Sequence, residues 1–150
     1  MQNIQRFSER LAELMFYAND VTSYKLGELT GMDSSTIRLW RTGHRFPKLS
    51  YAIRLADFFG CTLDFLFGRS DEEKPDFVLQ PVPPFYISLK FVLSKCGKSW
   101  YRVYTDTKIA KSNIQDWREG REPIMPTLIT IADYLGITLD YLVGRDRAEG

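Results

Sequence analysis

Met32-Asp33-Ser34-Ser35-Thr36-Ile37-Arg38-Leu39-Trp40-Arg41-Thr42-Gly43 carries the start and stop signals of a short helix. Asp33 is a good N-cap, Met32 before it can staple onto Ile37, and Gly43 can supply the left-handed residue that ends the last turn. Ile37 and Trp40 stand three apart, so they share one face and anchor the helix to a core. At about 100° per residue, Ser35, Arg38 and Leu39 face the other way, with Ser34 at the exposed N-terminal end. The chain then repeats the pattern 77 positions later in Ile109-Ala110-Lys111-Ser112-Asn113-Ile114-Gln115-Asp116-Trp117-Arg118-Glu119-Gly120. There Ile114 and Trp117 are the anchors, and Lys111, Ser112, Gln115 and Asp116 face outward.

This repeat decides the domain count. A chain of 150 residues has room for one ordinary domain or two very small ones, and an internal copy argues for two. Their expected bounds are 1–70 and 83–150, with 71–82 as linker. A content of 44% hydrophobic and 14% aromatic residues is ample for two small helical cores. Outward from the repeated segment, Phe7, Leu11 and Leu14 predict a first helix over 4–18, and Phe85, Leu89 and Val92 follow Pro83-Pro84 in the same spacing. Thr22 and Ser99 cap a second helix, in which Leu26 and Leu29 match Val103 and Asp106, the last breaking the apolar pattern. Thr30-Gly31-Met32 predicts a tight turn before the repeated helix. Lys108 replaces Gly31, and Ala110 replaces the capping Asp33, each at a cost on the order of 1 kcal/mol. The second copy is therefore expected to be locally weaker.

Downstream, the loops His44-Arg45-Phe46-Pro47 and Arg121-Glu122-Pro123 lead into helices whose core stripes are Leu49, Ala52, Ala56 and Phe59, or Met125, Leu128, Ala132 and Leu135. Each unit closes on a short apolar helix, Leu63-Asp64-Phe65-Leu66-Phe67-Gly68 or Leu139-Asp140-Tyr141-Leu142-Val143-Gly144. The fold class is all-α with five helices per unit. The proline-rich acidic linker is expected to hold no helix, with an extended piece at Asp76-Phe77-Val78-Leu79-Gln80.

The net charge is +1, and its distribution says more than its sum. Residues 1–70 carry nine Lys/Arg against seven Asp/Glu, residues 71–82 one against four, and residues 83–150 ten against eight. Both units are mildly basic. Cys61 and Cys96 fall at different positions of the repeat, His44 is the single histidine, and no metal-ligand spacing exists, so no metal or cofactor is expected. His44 itself reads as a loop residue. Reduced thiols in a cytoplasm fit best, and neither a membrane-spanning run nor a signal-peptide layout is present in the sequence. The acidic residues read as scattered along solvent faces. With no glycine-rich phosphate loop and no nucleophile-base pairing that spacing defends, the chain does not read as an enzyme.

Each unit resembles the helix-turn-helix domain of the phage lambda repressor and Cro type, the XRE family, over nearly the whole chain. The resemblance rests on Ile37-Arg38-Leu39-Trp40-Arg41-Thr42-Gly43 with Leu63-Asp64-Phe65-Leu66-Phe67-Gly68, and on Ile114-Gln115-Asp116-Trp117-Arg118-Glu119-Gly120 with Leu139-Asp140-Tyr141-Leu142-Val143-Gly144. It implies two consecutive lambda-repressor-like domains and sequence-specific double-stranded DNA binding in prokaryotic or phage transcriptional control. The chain departs from the family after each tryptophan, where glutamate is common and Arg41 and Arg118 stand. It departs again at the start of the second helix, where a phosphate-contacting glutamine is common and Ser23 and Trp100 stand.

The expected DNA-binding residues are Ser34, Ser35, Arg38, Arg41 and Arg45 in the first unit, and Lys111, Ser112, Gln115, Arg118 and Arg121 in the second. Arg38 and Gln115 suit base edges or nearby phosphates, Lys111 suits base edges, and Arg45, Arg121 and Lys48 suit phosphates. Asp116 would accept from a cytosine amino group and be repelled by phosphate. The partners expected are duplex DNA and, through self-association, a second copy of the chain, with no membrane and no small-molecule effector. The competing reading is a protein-interaction or dimerisation module whose DNA-reading face is lost. If both units read DNA, the 14 residues from Arg69 to Val82 would extend to roughly 46–50 Å, enough to span half-sites one helical turn apart.

Overall fold

Ten α-helices form among the residues that the computed structural model describes, 4 to 147, and five fall in each of two units, Met1–Pro75 and Asp76–Gly150. The first unit holds α1 (Ile4–Tyr17), α2 (Ser23–Thr30), α3 (Ser34–Arg41), α4 (Leu49–Phe59) and α5 (Leu63–Leu66). The second holds α6 (Phe85–Cys96), α7 (Trp100–Thr107), α8 (Lys111–Arg118), α9 (Met125–Leu135) and α10 (Leu139–Val143). No helix among the described residues is long and apolar enough to cross a membrane.

The local signals act where the sequence puts them. Thr22 and Ser99 accept from the backbone N–H groups of Lys25 and Arg102, both at 3.1 Å, and Thr62 and Thr138 cap α5 and α10 in the same way. Gly43 takes the left-handed conformation beyond α3. Around α3, Ile37 and Trp40 are buried with Phe7, Leu11 and Leu26, and α3 packs against both α1 and α2. Ile114 and Trp117 are likewise buried beside Leu89 and Val103 in the second unit. In α4 and α9 the buried stripe includes Leu55 and Ile131, while Phe59 and Leu135, expected in it, are only half-buried. The mismatch of Leu29 with Asp106 has no cost in the core, because Leu29 is 54% exposed. Asp106 instead pairs with Arg102 at 3.1 Å and accepts from the Tyr134 hydroxyl.

Two acidic residues depart from the expectation of scattered solvent-facing carboxylates. Asp64 is buried and bonded to Arg69, and Asp140 is buried and lies 2.7 Å from Arg145, whose guanidinium is itself buried. Arg69 and Arg145 also donate their backbone N–H groups to Asp64 and Asp140 carbonyls, so each pair closes the turn after the last helix. Paired and hydrogen-bonded charges are the form in which burial is tolerated.

A second guanidinium socket lies behind the same short helices, and the two units fill it differently. In the first, Arg10 reaches from α1 to the Phe65 carbonyl at 2.7 Å and lies 4.0 Å over the Phe65 ring. It also donates to the Ser70 carbonyl at 3.0 Å and pairs with Asp71 at 2.7 Å. The repeat equivalents of Arg10 and Phe65 are Ser88 and Tyr141. There Arg147, from the segment after α10, donates to the Tyr141 carbonyl and to Ser88 Oγ, the latter at 2.6 Å. Its guanidinium lies 4.8 Å over the Tyr141 ring.

Both ends of the linker are bound to their own units. Thr62 donates its backbone N–H to the Glu73 carbonyl at 2.9 Å and its hydroxyl to the Glu72 carbonyl, beside the Arg10–Asp71 pair. Gln80 donates to the Arg145 carbonyl at 3.0 Å, next to an isolated antiparallel bridge between Leu79 and Asp146. Between these anchors lie only Lys74 to Val78, fewer than the 14 residues from Arg69 to Val82.

Candidate nucleic-acid interface

In the first unit, α2, a three-residue turn and α3 are held close by glycine. Gly31 ends α2 at φ 75°, a conformation that costs a residue with a side chain on the order of 1 kcal/mol. A Cβ at Gly27 would stand 2.6 Å from the Met32 carbonyl oxygen, so only glycine lets the turn fold back this tightly. Asp33 then caps α3: its carboxylate accepts from the Ser35 hydroxyl, from the Thr36 N–H at 3.1 Å and from the Thr36 hydroxyl. The Ser35 hydroxyl and, after it, the Thr36 N–H hold the Asp33 carboxyl below its ordinary pKa. Ser35 is therefore committed to the cap, whereas Ser34, half-buried, opens the helix.

Arg38 and Arg41 are exposed on α3, and Arg45 is exposed in the loop beyond it. None of the three makes an ion pair among the described residues. The loop is fixed by local bonds, from the Thr42 hydroxyl to the Arg38 carbonyl at 2.8 Å and from the His44 N–H to the Leu39 carbonyl at 2.9 Å. From Ser34 to Ala56 the chain carries five Lys/Arg and no Asp or Glu. A capped helix thus presents uncompensated positive charge on its outward face and in the loop that follows.

The second unit builds the same elements with other chemistry. Lys108 ends α7 at φ 63°, and Ala110, at the N-cap of α8, offers no side-chain bond, as the sequence leads one to expect. Lys111 and Ser112 are exposed at the start of α8. Gln115 donates to Glu119 at 3.1 Å, and Arg118 lies 5.4 Å over the Tyr86 ring. Arg121 is held by Asp116 at 2.7 Å and by Glu119 at 3.4 Å. From Lys111 to Ala132, the stretch equivalent to Ser34–Ala56, three Lys/Arg face three Asp/Glu. Of the five cations and polar groups expected to meet DNA in this unit, two are engaged with acidic neighbours and one with an aromatic ring.

One feature of this face was not read from the sequence. Tyr104 stands where the first unit has Gly27, and Trp100 where it has Ser23. With a phenol in place of a hydrogen the helices cannot close as α2 and α3 do, and α7 packs on α9 in preference to α8. An open cleft of about 450 Å³ results, lined by Trp100 and Tyr104 from α7 and by Lys111, Ser112, Ile114, Gln115 and Arg118 from α8. Trp100 does not enter the core but stacks on Tyr86, with ring centroids 5.0 Å apart and planes 8° from parallel. The repeat alignment shows the glycine-for-tyrosine exchange, and only the packed helices show that it falls at their contact. Comparison of the chain with protein-family models, with curated proteins and with solved structures finds no match.

Proposed function

We propose that this protein is a sequence-specific double-stranded DNA-binding protein of the tandem lambda-repressor-like helix-turn-helix kind, acting in transcriptional regulation. In this reading α3 enters the major groove with Arg38 and Ser34 toward base edges, while Arg41 and Arg45 hold phosphates and position the helix. The observation that supports it most is the uncompensated charge of the first unit: three exposed arginines on and after a capped helix, with no carboxylate between Ser34 and Ala56. In the second unit Lys111 and Ser112 extend the reading to a second, unlike half-site.

The test is selection of bound molecules from a random duplex library by the intact protein, followed by affinity measurements across a salt series. A selected sequence should be bound with a steep salt dependence, because each neutralised phosphate releases counterions. Arg45→Ala should weaken selected and random duplexes alike and reduce the salt slope by about 1, whereas Lys111→Ala should weaken the selected duplex more, by about 1–3 kcal/mol. Absence of any enriched sequence would overturn the proposal.

A second reading applies to the second unit alone. Its neutralised α8 face, with Arg121 held by Asp116 and Glu119, favours a module that keeps the fold and serves protein interaction or dimerisation. If Lys111→Ala leaves affinity for the selected duplex unchanged while Arg38→Ala abolishes it, this reading replaces the tandem one.

A further inference from the structure

The cleft between α7 and α8 has a chemistry of its own. Its walls are two aromatic side chains, Trp100 and Tyr104, and two cations, Lys111 and Arg118, with Ser112 as a hydrogen-bonding group, Gln115 engaged with Glu119, and no carboxylate in the lining itself. Its volume, about 450 Å³, falls in the range of small-molecule sites. The Trp100 ring is held by its stack on Tyr86, so a planar ligand meets an aromatic surface already fixed in orientation. Lys111 has no ion-pair partner among the described residues and is exposed at the edge of the cleft. Arg118 lies over the Tyr86 ring and has no ion-pair partner among the described residues.

We infer that this cleft binds one nucleotide: the base stacks against Trp100 and Tyr104, and the phosphate is met by Lys111 and Arg118. Aromatic surfaces take any base, because every base has a flat π-face, and two cations supply the charge an anionic ligand requires. The same chemistry is offered by a free nucleotide and by an unpaired nucleotide in a single strand. The inference does not rest on duplex binding by either unit, and it departs from the expectation of no small-molecule effector. The wedge is Tyr104: in the first unit, where Gly27 stands, the helices close on each other and Ser23 offers no ring.

Tryptophan emission reports on the site. Trp40 and Trp117 are 1% and 4% exposed, which leaves half-buried Trp100 as the ring a stacked base would quench. The intact protein is titrated with adenosine 5′-monophosphate, with an eight-residue single-stranded oligodeoxythymidylate, with adenosine and with inorganic phosphate. Saturable quenching by the monophosphate with Kd below about 1 mM is expected, with adenosine and phosphate each about tenfold weaker. Lys111→Ala, a surface change that leaves the fold intact, should weaken binding about tenfold, Tyr104→Gly should remove it, and Arg38→Ala should change nothing. Tighter binding of the oligonucleotide than of the monophosphate assigns the site to unpaired strands, and the reverse assigns it to free nucleotide. No saturable quenching by either probe, or quenching that Lys111→Ala leaves unaltered, overturns the inference. Retention of duplex binding in that case, or its loss while quenching persists, separates this site from the proposed DNA-reading role.

Discussion

Asp33 and Ala110 occupy the same place in the two units, and the difference reaches stability. The folded-state pKa of Asp33 is lowered, by the Ser35 hydroxyl first, so its stabilisation is present above the ordinary value of 3.8 and is lost as pH falls through the lower folded value. The gap in melting temperature between the protein and Asp33→Ala should therefore be full at neutral pH and narrow below pH 3.8; a gap independent of pH would mean that the carboxylate does not act as the cap. Ala110 brings no such term. Ala110→Asp together with Lys108→Gly should stabilise the second unit, each change by about 1 kcal/mol, raising its calorimetric transition by several degrees. These residues were legible because capping and left-handed turns are decided within four or five positions. Ser35 was not, since its hydroxyl could equally face a groove or its own helix end, and only the rotamer decides.

Between elements, legibility depends on whether the partner lies close in sequence. The buried stripes of α1 and α6 follow from spacing, those of α4 and α9 do so except at Phe59 and Leu135, and the anchors Ile37, Trp40, Ile114 and Trp117 are where the pattern puts them. The guanidinium socket does not follow, because Arg10 comes from the first helix of its unit and Arg147 from beyond the last. No alignment by position equates them, and Ser88, at the aligned position, reads as a mere loss of charge. Arg147→Ala should destabilise the second unit by about 1.5–3 kcal/mol, the range for hydrogen bonds to a charged group. Adding Ser88→Arg should return part of that loss by supplying the guanidinium from α6, as Arg10 does from α1. If thermal unfolding shows no recovery in the double variant, the two sockets are not equivalent. The α7–α8 cleft escaped the sequence reading for another reason: Tyr104 was legible as a residue, but the 2.6 Å approach that forbids a Cβ at Gly27 is a property of the packed helices.

Over the whole chain the repeat made the division into two units legible, and the charge count by segment pointed to mild basicity in both. It did not show that Arg38, Arg41 and Arg45 make no ion pair among the described residues while Arg121 is held against carboxylates, because pairing is set by side-chain reach and not by composition. The linker composition predicts no helix and an extended piece near its middle, and Leu79 does bridge to Asp146; because the partners lie outside the linker, it does not show that Asp71, Glu72 and Glu73 bond to the first unit and Gln80 to the second. What lies between them, Lys74-Pro75-Asp76-Phe77-Val78, has a consequence for enzymatic dissection of the native chain. Lys74 is the single Lys or Arg from Ser70 to Val82, and the bond after it leads into proline, where trypsin cuts poorly. Phe77-Val78 offers chymotrypsin an aromatic residue followed by an exposed valine. Brief chymotrypsin treatment should release two halves meeting at residue 77, while trypsin at equal activity leaves this junction intact; early tryptic cleavage at Lys74 or Arg69 would show that the bonds anchoring the linker open in solution.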